Sequence, residues 1–151
     1  MTSETDPGTA PATQVTAVDT LYAQVQQFYA HQMQLLDSFD AERWADTFTE
    51  DAVFDLPALE RPVRGRAELA AAVRRTKERQ ERNREQQRHW VGMLQVQPQP
   101  DGTLGTRYYA LIYVTPDGGA STVMRMCVIE DVLVPYLGEW RACSRRVTFD
   151  G

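Results

Sequence analysis

Apolar residues recur at helical spacing over the first third of the chain. Between about Thr16 and Leu36 the recurring apolar positions are Leu21, Val25, Phe28, Leu35 and, just beyond, Phe39. Such a stripe predicts an amphipathic helix. Asp40 is a good N-cap residue, and residues 41–44 suit the first turn of a second, short helix. A third helix is predicted from Arg66, with its apolar residues ending at Val73.

Strand patterns fill most of the remaining chain. A short alternating run at residues 52–56 predicts a first strand that stops at Pro57. Four longer runs, rich in β-branched and aromatic residues and separated by Pro and Gly, predict strands at 89–96, 105–115, 120–134 and 139–149. Three helices followed by a long antiparallel meander indicate an α+β fold.

Two segments lack the apolar residues that a core requires. Residues 1–15 are predicted to be disordered, which leaves residues 16–151 as a single domain. Residues 74–88 (RRTKERQERNREQQR) are polar on every side and are predicted to form an exposed helix or a mobile flap. Glutamates interleave this basic run and it contains no aromatic residue, so nucleic-acid binding is not expected.

Composition and charge limit the binding partners and the cellular compartment to be expected. The 151 residues carry a net charge of -5, with 42% hydrophobic and 25% charged residues, which gives no reason to expect a nucleic-acid or membrane partner. No apolar run is long enough to span a membrane and no signal peptide is recognisable, so a cytoplasmic protein is expected. Cys127 and Cys143 fall on neighbouring predicted strands but are offset, and two reduced thiols are expected.

Two side chains carry the candidate chemistry. Asp37 follows Leu35 and Leu36, where an apolar residue would serve the helix better, and the capping role already belongs to Asp40. Asp37 is therefore either a local turn former or a functional acid. His89 begins an apolar strand directly after the polar run. It is either a structural residue or the best general base available near neutral pH.

Motifs for several other chemistries are missing from the sequence. It contains no CxxC, HExxH or GxSxG motif and no phosphate-binding glycine loop, so metal hydrolysis, serine hydrolysis and nucleotide chemistry lack support. With two histidines and no clustered ligands, the sequence gives no reason to expect a bound metal.

The predicted strands also bear on oligomeric state. Apolar and aromatic residues occupy both alternating faces of Tyr108–Val114 and Val123–Val134. A sheet with a single buried face would usually show polar residues on the other. We therefore expect a homodimer or homotrimer that forms through the outer face of the sheet.

Several short motifs, spread over residues 17–150, resemble one superfamily. The first group comprises Phe28-Tyr29, Leu36-Asp37, Trp44, Glu50-Asp51-Ala52 and Pro57. It resembles the opening of nuclear-transport-factor-two-like proteins, and among them the SnoaL-like polyketide cyclases and dehydratases. The run Arg88-His89-Trp90-Val91-Gly92 resembles the strand that follows their third helix. The C-terminal motifs Trp140-Arg141-Ala142, Arg145-Arg146-Val147 and Asp150 resemble the closing strand of the small subunit of ring-hydroxylating dioxygenases.

The resemblance implies a fold and an acid–histidine pair. The fold is a cone-shaped, curved antiparallel sheet packed on three N-terminal helices, with an apolar pocket. His89 matches the family histidine through its QRHWVG context. The SnoaL-like pattern places the acid at Asp37, whereas the scytalone-dehydratase pattern places it at Asp40 with Phe39 at a tyrosine position. Because Asp40 has a capping role, Asp37 is the predicted acid. Leu56 stands where ketosteroid-isomerase-like members carry their base, so their mechanism is not expected.

The implied function is cofactor-free acid–base catalysis by Asp37 and His89. The substrate would be a small apolar or aromatic carbonyl compound, such as a polyketide-like intermediate of natural-product or antibiotic biosynthesis. The reaction would be cyclisation, dehydration or isomerisation. The residues expected to bind the substrate are Phe39, Trp44, Leu56, Tyr109, Tyr113 and Arg125. Two alternatives stay open: a non-catalytic small subunit, and a ligand-binding module in which Asp37 and His89 merely satisfy each other.

Overall fold

The computed structural model of the protein describes residues 16–151. The predicted disordered segment 1–15 lies outside the described residues. In chain order the elements are α1 (Ala17–Asp37), α2 (Ala41–Ala45), β1 (Phe48–Asp55), β2 (Val63–Arg64), α3 (Gly65–Asn83), β3 (Glu85–Pro98), β4 (Leu104–Pro116), β5 (Thr122–Tyr136) and β6 (Glu139–Phe149). None of the helices in this part of the chain is long and apolar enough to cross a membrane.

The six strands form one curved sheet in the order β2-β1-β6-β5-β4-β3. Register shifts in the β3–β4, β4–β5 and β5–β6 pairs interrupt the ladders, and such bulges bend the strands that carry them. The predicted α+β class, with helices before a curved sheet, is confirmed. One pairing differs from the expected antiparallel meander, because β1 and β6 run parallel. The long connection through α3 allows β1 to run in the same direction as the last strand.

The two faces of the sheet have different surroundings. Tyr108, Ala110, Cys127 and Ile129 alternate along β4 and β5 and are buried. The Tyr108 ring lies 4.4 Å from the ring of Tyr29 on α1, which shows that this face packs against the helices. We call it the inner face. The intervening residues of β4 and β5 point away from the helices and form the outer face.

Capping residues mark the starts of α1 and α2, and Asp37 is not one of them. Thr16 and Asp19 form a capping box at the start of α1. Asp40 caps α2 by accepting a hydrogen bond from the backbone N–H of Arg43 at 3.3 Å, as predicted. Asp37 is the last residue of α1 and has no capping function there.

A buried ion pair lies on the inner face beneath α1. Arg145 on β6 donates from Nε and Nη2 to the two carboxylate oxygens of Asp131 on β5, each at 2.8 Å. Tyr29 and Tyr108 donate to Asp131 Oδ2 at 2.8 and 3.1 Å. Gln32 of α1 accepts from Arg145 Nη2 at 2.5 Å. These hydrogen bonds therefore join α1 to three adjacent strands, β4, β5 and β6.

The buried pair keeps its charges because each group is compensated. Burial alone would lower the pKa of Arg145, but the facing Asp131 carboxylate raises that pKa well above its ordinary value. Burial raises the pKa of Tyr29 and Tyr108 well above that of an exposed tyrosine. Both phenols therefore stay protonated and act as donors at neutral pH.

The polar run 74–88 contains the end of α3, in line with the expected exposed helix, but two of its residues are buried. Its first part extends α3 to Asn83, and β3 already begins at Glu85. Two of its glutamines are buried, Gln80 at 3% and Gln87 at 6% exposure. The side-chain oxygen of Gln80 accepts the backbone N–H of Gln87 at 2.9 Å. The prediction of an unanchored segment is wrong at these two positions, because a side-chain acceptor on α3 satisfies the free edge of β3.

We expect Arg145→Met to lower the free energy of unfolding by about 3–5 kcal/mol, because it leaves the buried Asp131 carboxylate unpaired. Urea denaturation measures this loss. Arg82→Met, at an exposed position of α3, is the matched control and should change stability by less than about 0.5 kcal/mol. A loss at Arg145 no larger than that of the control would show that the ion pair does not hold the sheet to α1.

We expect Gln80→Met to accelerate amide exchange at Gln87, because it removes the acceptor of that buried N–H. The cost is about 1–3 kcal/mol. Hydrogen exchange at single-residue resolution measures it, with Arg79→Met, at an exposed neighbouring position, as control. An unchanged exchange rate at Gln87 would contradict the proposed role of Gln80.

The exposed side of α3 beyond Val73 should still exchange faster than residues 110–114 of β4.

Candidate active site

Asp37 and His89 meet where the end of α1 covers the free edge of β3. The backbone N–H of His89 points away from β4 and donates to Asp37 Oδ2 at 3.1 Å. The ring Nδ1 of His89 lies 2.7 Å from Asp37 Oδ1. His89 is therefore bonded to both carboxylate oxygens of Asp37. These two contacts fix the position of the imidazole relative to α1. Gln86 adds a third link, since its side-chain N–H donates to the backbone oxygen of Asp37 at 3.2 Å.

The contact assigns the tautomer of a neutral His89. An ionised carboxylate can only accept hydrogen bonds, so the proton between Asp37 Oδ1 and His89 Nδ1 belongs to the ring. The lone pair is then on Nε2, and no hydrogen bond joins Nε2 to another residue of the described chain. A histidine held in this way can accept a proton at Nε2 while the carboxylate stabilises the imidazolium.

The pair is largely shielded but can be reached from solvent. The side chain of His89 is 18% exposed and that of Asp37 is 11% exposed. A cleft of about 290 Å³ runs along the seam between α1 and β3 and contacts both residues. Its other walls include Tyr29, Met33 and Trp90. Partial burial strengthens the hydrogen bond of the pair because it limits competition from water.

The inner face places Arg125 across the sheet from His89. His89 pairs with Ile112 on β4, and Ile112 pairs with Arg125 on β5. Residues in one cross-strand row share a face, so the Cα atoms of His89 and Arg125 are two strand spacings apart, about 10 Å. The guanidinium carbon of Arg125 lies 4.2 Å from the ring centroid of Phe149. The predicted inward position of Arg125 agrees with this geometry.

Three other predicted binding residues lie on the helix side of the sheet. Phe39 and Leu56 are partly buried and pack against the core. Phe39 lies two residues beyond Asp37 and has a positive φ of 60°, as the tight connection between α1 and α2 requires. Trp44 is only 4% exposed and packs on Phe48 and Phe54, with ring centroids 4.8 and 6.3 Å away, so it belongs to the core.

The two predicted tyrosines lie on the wrong face. Tyr109 pairs with Gly92, and Tyr113 pairs with Arg88. Both partners alternate with His89, whose side chain is on the inner face. Tyr109 and Tyr113 therefore point outward, and the prediction that they line the same site as His89 is wrong. Alternation separates the two faces of a strand but does not indicate which one faces the helices.

Gln87 is a candidate site residue that the sequence interpretation missed. It lies two positions before His89 on β3 and so shares its face. Its side-chain N–H donates to the thioether sulfur of Met124 at 3.5 Å, which is a weak acceptor. Period-two alternation from His89 could have identified Gln87, but the predicted strand began only at His89.

The two cysteines and the other possible metal ligands are less suited to catalysis than the pair of Asp37 and His89. Cys127 and Cys143 are free thiols, as expected, and burial raises the pKa of both. A raised pKa leaves little of the nucleophilic thiolate at neutral pH. In the described part of the chain, no three His, Cys, Asp or Glu side chains cluster closely enough to bind a metal ion.

Known proteins share this arrangement of elements. A model of the SnoaL-like domain matches residues 20–146. Aln2 from a Streptomyces species is 37% identical, with 87% of this chain and 91% of that one covered, and the TM-score is 0.80. A protein from Catenulispora acidiphila, solved in complex with S-DNPA, is 38% identical, with 87% and 94% covered, and the TM-score is 0.74.

A more distant structure extends the likeness in fold. It is described as the β subunit of an aromatic-ring-hydroxylating dioxygenase from Novosphingobium aromaticivorans. It is 16% identical, with 90% of this chain and 93% of that one covered, and the TM-score is 0.72. No curated protein matches the chain. The resemblances predicted from the sequence motifs are thus confirmed, to the SnoaL-like group as a family and to the dioxygenase subunit as a fold.

We expect nitrogen–proton NMR spectra to show His89 as the Nδ1–H tautomer at a pH where histidine is neutral. The Asp37 carboxylate imposes this form, which His31 on the exposed side of α1 has no such reason to adopt. In Asp37→Ala the signals of His89 should move toward the tautomer mixture shown by His31. A wild-type His89 with its proton on Nε2 would contradict the assigned hydrogen bond.

Proposed function

The chain belongs to the family of SnoaL-like domains, and we propose that it is a cofactor-free enzyme that transfers a proton at a carbon beside a carbonyl group. The observation that carries this proposal is the 2.7 Å contact between His89 Nδ1 and Asp37 Oδ1, which leaves Nε2 as a positioned base. The substrate class would be polyketide-like or aromatic carbonyl compounds.

The proposed reaction begins with proton removal by His89. Nε2 takes a proton from the carbon beside the carbonyl, the electron pair of that C–H bond forms a carbon–carbon double bond, and the π electrons of the carbonyl move onto its oxygen to give an enolate. Asp37 stabilises the imidazolium that forms. The imidazolium then returns the proton, either to another carbon in an isomerisation or to a departing hydroxyl group in a dehydration. The same enolate carbon could close a ring by attacking a second carbonyl, whose π electrons move onto its oxygen, and that oxygen then takes the proton from the imidazolium.

The developing negative charge on oxygen needs a donor, and Arg125 is the proposed one. It is on the face that carries His89, with its Cα atom about 10 Å away across two strand spacings and its guanidinium over the ring of Phe149 on β6. A fused-ring compound held between them could have its reacting carbon near His89 and an oxygen near Arg125. Gln87 is a second candidate donor, because its N–H is bound only weakly by Met124. Donors aimed at a forming oxyanion are usually the largest contribution to such catalysis.

Apolar side chains on the helix side of the sheet suit a flat substrate. Phe39, Leu56 and Phe149 are partly buried against the core and retain some exposed surface. Such walls remove water from the substrate and strengthen the polar contacts at its reacting atoms. These residues are proposed to select for aromatic shape, while Arg125 and Gln87 orient the oxygens.

A specific observation favours a second candidate function. Asp37 also accepts the backbone N–H of His89, so the pair satisfies the edge of β3 whether or not it reacts. A non-catalytic subunit or a ligand-binding module of the same fold would also be stabilised by this contact at the edge of β3. In that case His89 could be replaced with no effect on turnover, and Asp37 would matter for folding alone.

β-Tetralone, an aromatic ketone with an acidic CH₂ group beside its carbonyl, is the proposed probe. In heavy water the enzyme should catalyse deuterium uptake at that carbon, measured by mass spectrometry. We expect His89→Ala to slow the catalysed uptake about 10²–10⁴-fold, the usual contribution of a general base. His31→Ala, the other histidine of the chain, is the control and should not change the rate. Competition by S-DNPA would locate the probe in the site proposed to correspond to that of the relative.

The double variant separates a catalytic unit from two independent residues. Asp37→Asn with His89→Ala should be little slower than His89→Ala alone, because residues that act together are not additive. Asp46→Asn, which changes an exposed carboxylate at the end of α2, is the control for Asp37→Asn. Equal uptake by folded wild type and folded His89→Ala would contradict the proposal and favour the non-catalytic alternative.

A further inference from the structure

The strand β5 contains a bulge at Met124, directly before Arg125. Ile112 of β4 pairs with Arg125. The next residue of β4, Tyr113, pairs with Val123, so Met124 is an extra residue on β5. An extra residue interrupts the alternation of faces along a strand, and bulges beside functional sites often re-aim a side chain in this way.

The side chain of Met124 reaches across β4 to Gln87 on β3. Its sulfur lies 3.5 Å from the side-chain nitrogen of Gln87. Gln87 shares the inner face with His89, so Met124 is on the inner face as well, beside Arg125. Met124 is 43% exposed, whereas Gln87 is only 6% exposed. The thioether is therefore a side wall of the candidate site, next to a largely buried amide.

The contact with sulfur fixes the direction of the Gln87 amide. A thioether can accept a hydrogen bond but has none to donate, so the nitrogen of the amide faces Met124 and the oxygen Oε1 faces away from it. No donor among residues 16–151 bonds to Oε1, and this oxygen is not sealed from solvent. The backbone N–H and C=O of Gln87 are already bonded to the side chains of Gln80 and Gln86. Buried polar groups normally have a partner, so Oε1 is an unused acceptor beside His89.

We propose that Gln87 Oε1 accepts a hydrogen bond from a hydroxyl group on the ring of the substrate, and that Met124 positions the amide for this contact. The inference rests on the proposed function, which puts the reacting carbon at Nε2 of His89. An acceptor held in one direction is complementary to a donor, whereas a carbonyl or methoxy oxygen there would bring two acceptors together. The substrate class thus narrows to hydroxylated aromatic ketones. Gln87 is an acceptor in this arrangement, and Arg125 remains the donor to the developing oxyanion.

The spacing along β3 indicates where the hydroxyl group lies on the substrate. Gln87 and His89 are two residues apart on one face, which separates their Cα atoms by about 6.6 Å. The side chain of Gln87 extends toward β5, while Asp37 holds the imidazole near the free edge of β3. The acceptor and the base are therefore separated by at least the width of one aromatic ring. We expect the hydroxyl group on the far side of the aromatic ring from the reacting carbon, as at position 6 of β-tetralone.

The binding of three matched ketones tests the inference without requiring turnover. The probes are 6-hydroxy-β-tetralone, 6-methoxy-β-tetralone and unsubstituted β-tetralone, with dissociation constants measured by isothermal titration calorimetry. The wild type should bind the hydroxy compound about tenfold more tightly than either of the others, which corresponds to one well-placed hydrogen bond. Gln87→Met should lose this preference because no acceptor remains. Gln95→Met, the same substitution at an exposed position on the outer face of β3, should keep it.

A second variant tests the positioning role of Met124. Met124→Leu retains an apolar side chain of similar size but removes the sulfur, so the amide is free to turn its nitrogen toward the ligand. The preference for the hydroxy over the methoxy compound should fall, while the affinity for unsubstituted β-tetralone should stay as in the wild type. A preference equal to that of the wild type would show that Met124 does not orient the amide.

A wild type without the hydroxyl preference, or a folded Gln87→Met protein that keeps it, would overturn the inference. Circular dichroism establishes folding, and if Gln87→Met does not fold, the result for Met124→Leu decides. Deuterium uptake separates this failure from failure of the proposed function. Uptake that depends on His89 but shows no hydroxyl preference in binding would refute the hydroxyl contact alone. A preference that depends on Gln87 without catalysed uptake would support the contact and refute the proposed reaction.

Discussion

The position of α1 depends on the buried ion pair between Arg145 and Asp131. Through Tyr29 and Gln32 the pair bonds directly to the middle of α1, while its own residues belong to β5 and β6. A charge that is fully compensated in a buried site tolerates little displacement of its partners, because any lost bond exposes it to an apolar interior. Eight residues separate Tyr29 from Asp37, which is about 12 Å along a helix. The network therefore sets where the far end of α1 meets the sheet, and with it the geometry of Asp37.

The free edge of β3 is protected by side chains instead of a seventh strand. Gln80 of α3 accepts one of its backbone N–H groups and Asp37 of α1 accepts another. Unpaired edges invite association with other chains, and native proteins commonly cover them. Here the cover at residue 89 is itself the candidate acid, so edge protection and chemistry depend on one carboxylate. This combination explains why a charged residue ends α1 directly after Leu35 and Leu36.

Local sequence signals predicted the elements well, and the long-range contacts poorly. The cap at Asp40 and the break by Pro and Gly between the last two predicted strands depend on neighbouring residues, so the sequence contains all the information they need. The faces of Tyr109 and Gln87 depend on which side of the sheet the helices cover, and no single strand contains that information. The meeting of Asp37 with His89, 52 residues apart, was anticipated through family resemblance; spacing alone left both residues with a structural explanation.

The two hydrogen bonds between Asp37 and His89 differ in how far they depend on the residue type at position 89. One uses the imidazole, but the other uses a backbone N–H that every residue except proline provides at position 89. A lineage could therefore exchange the histidine and still keep the edge of β3 closed, whereas exchange of the aspartate would open it. The proposed chemistry would then be lost before the structure, and a single substitution would suffice. Such an asymmetry offers a short genetic route from an enzyme to a scaffold protein with the same shape, and it would leave the aspartate behind as the trace of the lost reaction.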